Sequence, residues 1–268
     1  MSIRNLLYLS LFILASCGVK QYTGQPRNKQ ELTIMSYNIH HANPPSKAGL
    51  IDVDAIAAVI NKYKPDVVAL QEVDVNTKRS GMNEAVVLAE KTKMNFYFAK
   101  AIDHEGGDYG VAILSRYSLS GGTTHKLPTA EGTKGEPRVL ATAIIEVNGK
   151  KLVLACTHLD AQRNDTNRVL QINAITGILQ QETNPVVLAG DLNATPGGAV
   201  INTLDQHFTR TCTQNCGFTI PQVNPTKTID FIAYKPSTNF TVLSHTVIDE
   251  QYASDHLPVI VTLKIFRE

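Results

Sequence analysis

From Leu32 onward, short apolar runs alternate with amphipathic stretches. Residues 32–38 read as a strand that ends in polar residues, and residues 66–72 as a buried strand with a polar end. Residues 53–62 carry apolar side chains at helical spacing and stop before Lys64-Pro65. A second helix is predicted over 84–92 and a third over 167–181. Further strands are predicted over 109–114, 140–147, 151–157, 185–190 and 259–266. Asn148-Gly149, between two of these runs, is a strong hairpin signal. Hairpins mixed with strand–helix–strand units predict mixed sheets with helices outside them. No internal repeat or low-complexity block follows Gln30, and one domain over 31–268 is the simplest partition.

Composition agrees with this picture and narrows it. A chain of 268 residues is within the range of one α/β domain, and 43% hydrophobic with 18% charged residues suits a globular core. The net charge of +1 supplies no global field for nucleic acid or an anionic membrane. Phosphate chemistry stays open, because a bound metal can supply positive charge locally.

The N-terminus falls outside the fold pattern. Arg4 gives a positive start, residues 6–15 form an apolar run too short for a comfortable membrane span, and Leu14-Ala15-Ser16-Cys17 resembles a bacterial lipobox. The expectation is a lipoprotein signal peptide over 1–16, lipid on Cys17, a polar tether over 17–30, and an exported domain held at a periplasmic or cell-surface membrane. An ordinary cleaved signal peptide with an incidental cysteine is the competing reading. Cys156 sits in an apolar run and reads as a buried, inert thiol. Cys212 and Cys216 suit a local disulfide in an exported protein; a zinc pair would need further Cys or His nearby, and none lies there.

Candidate chemistry follows one rule. Apolar runs end in a residue able to bind a metal or a phosphate: Asn38, Glu72, His158, Asp191 with Asn193, and Asp230, while Asp255 and His256 precede the last strand. Such residues could converge on one cleft. Singly, most have an ordinary explanation as turn or cap residues. Asp230 is harder to dismiss, because Ile229, Phe231 and Ile232 surround it and a buried carboxylate requires a partner. His40 and His41 are left out: on an extended segment, neighbours face opposite ways, so at most one could enter the cleft.

Taken together, Ser36-Tyr37-Asn38-Ile39, Leu70-Gln71-Glu72-Val73, Gly110 to Arg116, Thr157-His158-Leu159-Asp160, Gly190-Asp191-Leu192-Asn193, Ile229-Asp230-Phe231 and Ser254 to Val259 resemble the endonuclease/exonuclease/phosphatase superfamily. The resemblance implies a four-layer α/β sandwich, with two packed mixed β-sheets flanked by helices (DNase I-like). It also implies a metal site at Asn38, Glu72 and Asp255, a hard oxygen set suited to Mg²⁺ or Mn²⁺. His256 matches a catalytic histidine with Asp230 as its carboxylate partner, Asp191 and Asn193 the pair that orients water and phosphate, and His158 a second histidine. Which histidine is base and which is acid stays open. Arg138 is a candidate phosphate contact, with a surface salt bridge as its alternative; Arg116 and Arg168 read as structural.

The expected activity is metal-dependent hydrolysis of a phosphoester, foremost a phosphodiester, outside the cytoplasm, with no protein partner evident and a monomeric state. The substrate could be a sugar, lipid or nucleotide phosphate, or nucleic acid. A secreted-type nuclease is the alternative enzyme; near-neutral charge and the absence of Trp weigh mildly against it. A binding protein of the same fold without catalysis would need a missing ligand or histidine, and all are present.

Overall fold

The structure is a computed structural model in which residues 30–265 are described. The expected signal segment, Cys17, nearly all of the tether and Phe266 lie outside the described residues. Two six-stranded sheets account for the strands. The first has the order β11 (Phe240–Val247), β12 (Val259–Ile265), β1 (Glu31–Asn38), β2 (Val67–Val75), β4 (Gly107–Ser115), β3 (Asn95–His104). The second has the order β5 (Ser120–Lys126), β6 (Val139–Val147), β7 (Lys150–His158), β8 (Val186–Asp191), β10 (Asp230–Lys235), β9 (Thr209–Arg210). Each sheet is mixed in the same way. One central pair is parallel, β1 with β2 and β7 with β8, and the other neighbours are antiparallel. A parallel pair needs a crossover, which α1 (Val53–Tyr63) provides in one sheet and α3 (Thr166–Gln180) in the other.

Alternation along the strands sorts side chains into layers. On β1, Leu32 and Ile34 enter the core between the sheets, whereas Met35 and Tyr37 face α1 and α2 (Glu84–Thr92). On β7, Leu152, Leu154 and Cys156 point between the sheets, and Val153 and Ala155 point towards α3 and α4 (Ala199–His207). The result is helix–sheet–sheet–helix, the four-layer sandwich expected from the motifs. Val53, Ile56, Ala57, Val59 and Ile60 form the buried face of α1, and Asp52 caps it by accepting from the Ala55 amide at 3.0 Å. The Asn148-Gly149 turn joins β6 to β7, both residues at positive φ (52° and 75°).

Three expectations change. The strand predicted to end at Glu72 continues to Val75, and Glu72 occupies a β-bulge at φ 59°. His40 and His41 lie in a one-turn helical segment at φ 48° and 43° rather than an extended one. The strands β3, β5, β9, β10 and β11, and helix α4, add to the predicted set. The local disulfide is present between Cys212 and Cys216. Cys156 is buried; burial, eased only partly by contacts with Gln71 and the Leu70 carbonyl, pushes its thiol up to about 12.

Candidate active site

The site residues continue the inter-sheet face beyond the point where apolar side chains stop. Asn38 keeps the phase of Leu32 and Ile34, His158 that of Leu154 and Cys156, Asp191 that of Val187 and Ala189, and Asp230 that of Ile232 and Tyr234. The same period that packs the core therefore aims four polar groups into one edge of it. Gly190 sets the closeness of two of them. A Cβ there would lie 2.1 Å from the Thr157 carbonyl oxygen, so glycine lets β8 approach β7 where His158 and Asp191 stand in register.

Glu72 arrives by a different route. The bulge between Gln71 and Val73 inserts one residue and redirects its carboxylate, as bulges beside active sites do. Asn38 Nδ2 donates to Glu72 Oε1 at 3.0 Å and to Asp191 Oδ2 at 3.1 Å, joining the two sheets by one amide. Burial would raise the Glu72 carboxyl, but His41, His158, Asn38 and His40 together hold it below the usual carboxylate range. His41 Nδ1 stands 3.7 Å from Glu72 Oε2.

Asp230 Oδ2 and His256 Nδ1 are 2.9 Å apart and both residues are buried. Burial opposes charge on the imidazole, yet Asp230 outweighs it and holds His256 above its ordinary value. The other ring nitrogen, Nε2, faces Asp191 Oδ2 at 3.7 Å. Burial, with the Asp230 charge nearby, pushes the Asp191 carboxyl up.

His158 is the opposite case. Burial and the Arg138 guanidinium drive its ring well below the ordinary value, so it is neutral. Arg138 Nη1 lies 3.1 Å from His158 Nδ1. A guanidinium can only donate, so Nδ1 accepts and the ring proton sits on Nε2. That N–H faces Asp191 Oδ2 at 3.4 Å. Asn193, in a left-handed turn at φ 47°, has its Nδ2 3.0 Å from both His158 Nε2 and the Leu159 carbonyl, and donates to the carbonyl. Arg138 is 6% exposed and pairs at 3.1 Å with Glu136, whose side chain is 41% exposed, so the ion pair runs from the interior to the surface. Asp160 Oδ2 accepts from the Glu136 amide at 3.1 Å and so anchors the segment that delivers Arg138. Arg116 and Arg168 donate to backbone carbonyls, of Pro65 and of Asp160 with Gln162 respectively.

Eight of the candidates thus share one network: Asn38, Glu72, Arg138, His158, Asp191, Asn193, Asp230 and His256. Asp255 adjoins it through Ser254, whose Oγ lies 3.4 Å from Asp255 Oδ1 and donates to the Asn38 carbonyl at 2.7 Å. Ser254 also accepts from the His256 amide at 3.2 Å, which makes it a positioning residue that no role was assigned to in the sequence. The exclusion of His41 rests on an extended segment, and the segment is a left-handed turn instead. No periodicity announces three successive left-handed residues at His40, His41 and Ala42, a sparsely populated conformation that concentrates at functional sites.

Among the described residues, two groups of side chains could hold a metal ion. Asp191, Asp230 and His256 are buried and offer ligand atoms within 4.8 Å of one another. Asn38 and Glu72 form the second group, with an ionised carboxylate and an unpartnered buried nitrogen, His41 Nδ1, beside it. Two cavities adjoin the network: one of about 410 Å³ walled by Asp230, Phe218 and the Cys212–Cys216 loop, and one of about 570 Å³ walled by Asn193, Arg163, Arg168 and Lys227.

A two-sheet sandwich with an Asp–His dyad, a second histidine and an Asn–Glu pair at one edge defines the class of protein. Residues 35–256 match the sequence profile of the Endonuclease/Exonuclease/phosphatase family, and the chain belongs to that family. Solved structures agree on the fold. A member from Beutenbergia cavernae is 26% identical with a TM-score of 0.73, over 89% of this chain and 72% of that one. A Bacteroides thetaiotaomicron member is 18% identical with a TM-score of 0.75, over 91% and 100%. A mannosyl-6-phosphatase from the same species is 18% identical with a TM-score of 0.71, over 87% and 99%.

Proposed function

We propose that this chain hydrolyses phosphoester bonds with the help of Mg²⁺ or Mn²⁺, and does so outside the cytoplasm from a lipid anchor on Cys17. The observation that carries the catalytic reading is the buried His256–Asp230 pair facing Asp191, beside an ionised Glu72 held by Asn38. Glu72 and Asn38, with Asp255, would hold the ion, and their hard oxygen donors suit either metal. When bound, the ion supplies polarisation of a phosphoryl oxygen.

The remaining chemistry belongs to the side chains. Asp191 and Asn193 orient the attacking water, and the Asp191 carboxyl, raised by burial, takes its proton. His256, kept cationic by Asp230, stabilises charge that develops on the phosphoryl group. His158, neutral and with its tautomer fixed by Arg138, offers its Nε2–H as a hydrogen bond to the leaving oxygen. Two cavities adjoin the network, one at Asp230 and one at Asn193, and room for two substituents on phosphorus favours a diester. The relative named as a mannosyl-6-phosphatase makes a sugar phosphate monoester the second reading.

The test is hydrolysis of bis-p-nitrophenyl phosphate and of p-nitrophenyl phosphate with Mg²⁺ or Mn²⁺. Wild type should turn over the diester faster, and Glu72→Ala and His256→Ala should each lose most of that activity. Turnover unchanged in both variants would show that the site is elsewhere. Anchoring has its own check: Cys17→Ser should release the exported protein from membranes, and continued membrane association would sink that part.

A further inference from the structure

We infer that His41 is a nitrogen ligand to the ion held by Glu72, and that it makes this site favour Mn²⁺ over Mg²⁺; the inference rests on the metal-dependent reading above. Three observations converge. His41 Nδ1 is buried and has no hydrogen-bond partner. It lies 3.7 Å from Glu72 Oε2, too far for a hydrogen bond and suited to a shared ligand position. Two donors each about 2.1 Å from one ion stand roughly 3.0 Å apart at a right angle and about 4.2 Å apart when opposed, so the observed separation is within that span.

The backbone is arranged to place that nitrogen there. His40, His41 and Ala42 all adopt left-handed φ (48°, 43° and 54°), a conformation costly for side chains with a Cβ. Hydrogen bonds enforce it: the His40 amide donates to Asn38 Oδ1 at 3.1 Å, His40 Nδ1 pairs with the Asn43 carbonyl at 2.9 Å, and the Asp52 amide donates to the Ala42 carbonyl at 2.7 Å. His40 is thereby spent on the turn, and His41 is the ring left facing Glu72. Glu72 has its own left-handed backbone at φ 59°, so strain is stored on both sides of the same gap. A purely oxygen site suits Mg²⁺, whereas an imidazole donor raises affinity for Mn²⁺ and later transition metals.

The test measures binding as well as turnover. Glycine suits a left-handed position, so His41→Gly removes the ring without disturbing the turn. With Mn²⁺ alone, titration calorimetry should show affinity falling at least about tenfold in His41→Gly, since even supporting partners of ligands cost that much. Mg²⁺ affinity should fall less. Pulsed electron paramagnetic resonance of the Mn²⁺-loaded wild type should show imidazole ¹⁴N coupling that His41→Gly loses. If circular dichroism shows the glycine variant misfolded, His41→Asn, also tolerant of this backbone, replaces it: the ion stays and the ¹⁴N coupling goes. No ¹⁴N coupling in wild type, or coupling that survives loss of His41, overturns the inference. Glu72→Ala separates the two levels. If it abolishes Mn²⁺ binding while His41→Gly does not weaken it, only the His41 inference fails; if it leaves binding and turnover intact, the reading of the site itself fails.

Discussion

The two sheets share one plan and use it differently. Each has a parallel central pair joined by a helix, and in each the first strand ends in a site residue, Asn38 on β1 and His158 on β7. In register, Asn38 stands beside Gln71 and His158 beside Asp191. The second sheet thus puts its carboxylate at the paired position, where the Asp191 side chain is 2% exposed and burial pushes its carboxyl up. In the first sheet that position holds Gln71, turned towards Cys156, and the acid comes one residue later on a bulge. The Glu72 side chain is 20% exposed, and its polar neighbours hold its carboxyl down. One inserted residue therefore separates an acid fit to hold a cation from an acid fit to handle a proton.

That division is open to a direct attack, and it carries the largest expected effect. Asp230→Asn keeps the shape of the dyad but removes the charge that favours the His256 cation. Turnover of bis-p-nitrophenyl phosphate should fall by roughly 10²–10⁴-fold with Mn²⁺ affinity little changed. Glu72→Gln should instead weaken Mn²⁺ binding, and its turnover should recover in part as metal is raised. Calorimetry beside steady-state kinetics decides the matter. If Asp230→Asn weakens Mn²⁺ as much as Glu72→Gln does, the ion sits among Asp191, Asp230 and His256, and the assignment of one task to each sheet is wrong.

The second prediction concerns how closely the strands approach. At the register position of Gly190, the first sheet carries Leu70. A Cβ at Gly190 would meet the backbone of Thr157 at 2.1 Å, which no side-chain rotation relieves. Gly190→Ala should destabilise the fold by about 2 kcal/mol or more and lower turnover too, because β7 and β8 must part beside His158 and Asp191. Gly177→Ala, in α3 with open space around its Cβ position, is the control and should be stabilising by about 0.5–1 kcal/mol. Equal denaturation midpoints for the Gly190 variant and wild type would show that this approach is not needed.

The same contrast between centre and edge explains what the sequence disclosed. Strands β1, β2, β4, β6, β7, β8 and β12 were visible as apolar runs because both of their faces are covered. Five strands escaped: β3, β5, β9 and β11, which are the four sheet edges, and the short interior strand β10. Edge strands face solvent and need no continuous apolar pattern: β5 reads Ser-Gly-Gly-Thr-Thr-His-Lys and is almost wholly exposed. The site divides likewise. His158 and Asp191 sit two residues beyond the last apolar side chain on the inter-sheet face, Asp230 two before the first, and Asn38 four beyond Ile34 with Ser36 between, so period-two alternation reaches them. Glu72 and His41 depend on a bulge and a left-handed turn, and neither leaves a trace in hydrophobic spacing. Arg138 could be named but not placed, since its burial against His158 follows from how β6 enters beside β7.

The smallest effect tests why the first sheet can carry its bulge. Strand β2 runs on to Val75, and this extension is tied to α2 by Glu84, whose Oε2 accepts from the Asp74 amide and whose Oε1 accepts from Ser80 Oγ, both at 2.9 Å. Glu84 is fully buried, and burial, aided by the Asp74 charge and countered by these hydrogen bonds, raises its carboxyl from 4.5 to about 7. The folded state then holds this proton more tightly than the unfolded chain does. Its contribution to stability is complete below pH 4.5 and is lost as pH rises through 7, on the order of 3 kcal/mol in all. Glu84→Gln, which cannot ionise, should remove that slope: urea unfolding should show the variant gaining on wild type between pH 5 and pH 8. A difference between the two proteins that stays constant across this range would mean that Glu84 is ionised throughout, and that the extension beyond Glu72 is held by the Asp74–Arg79 ion pair at 2.6 Å.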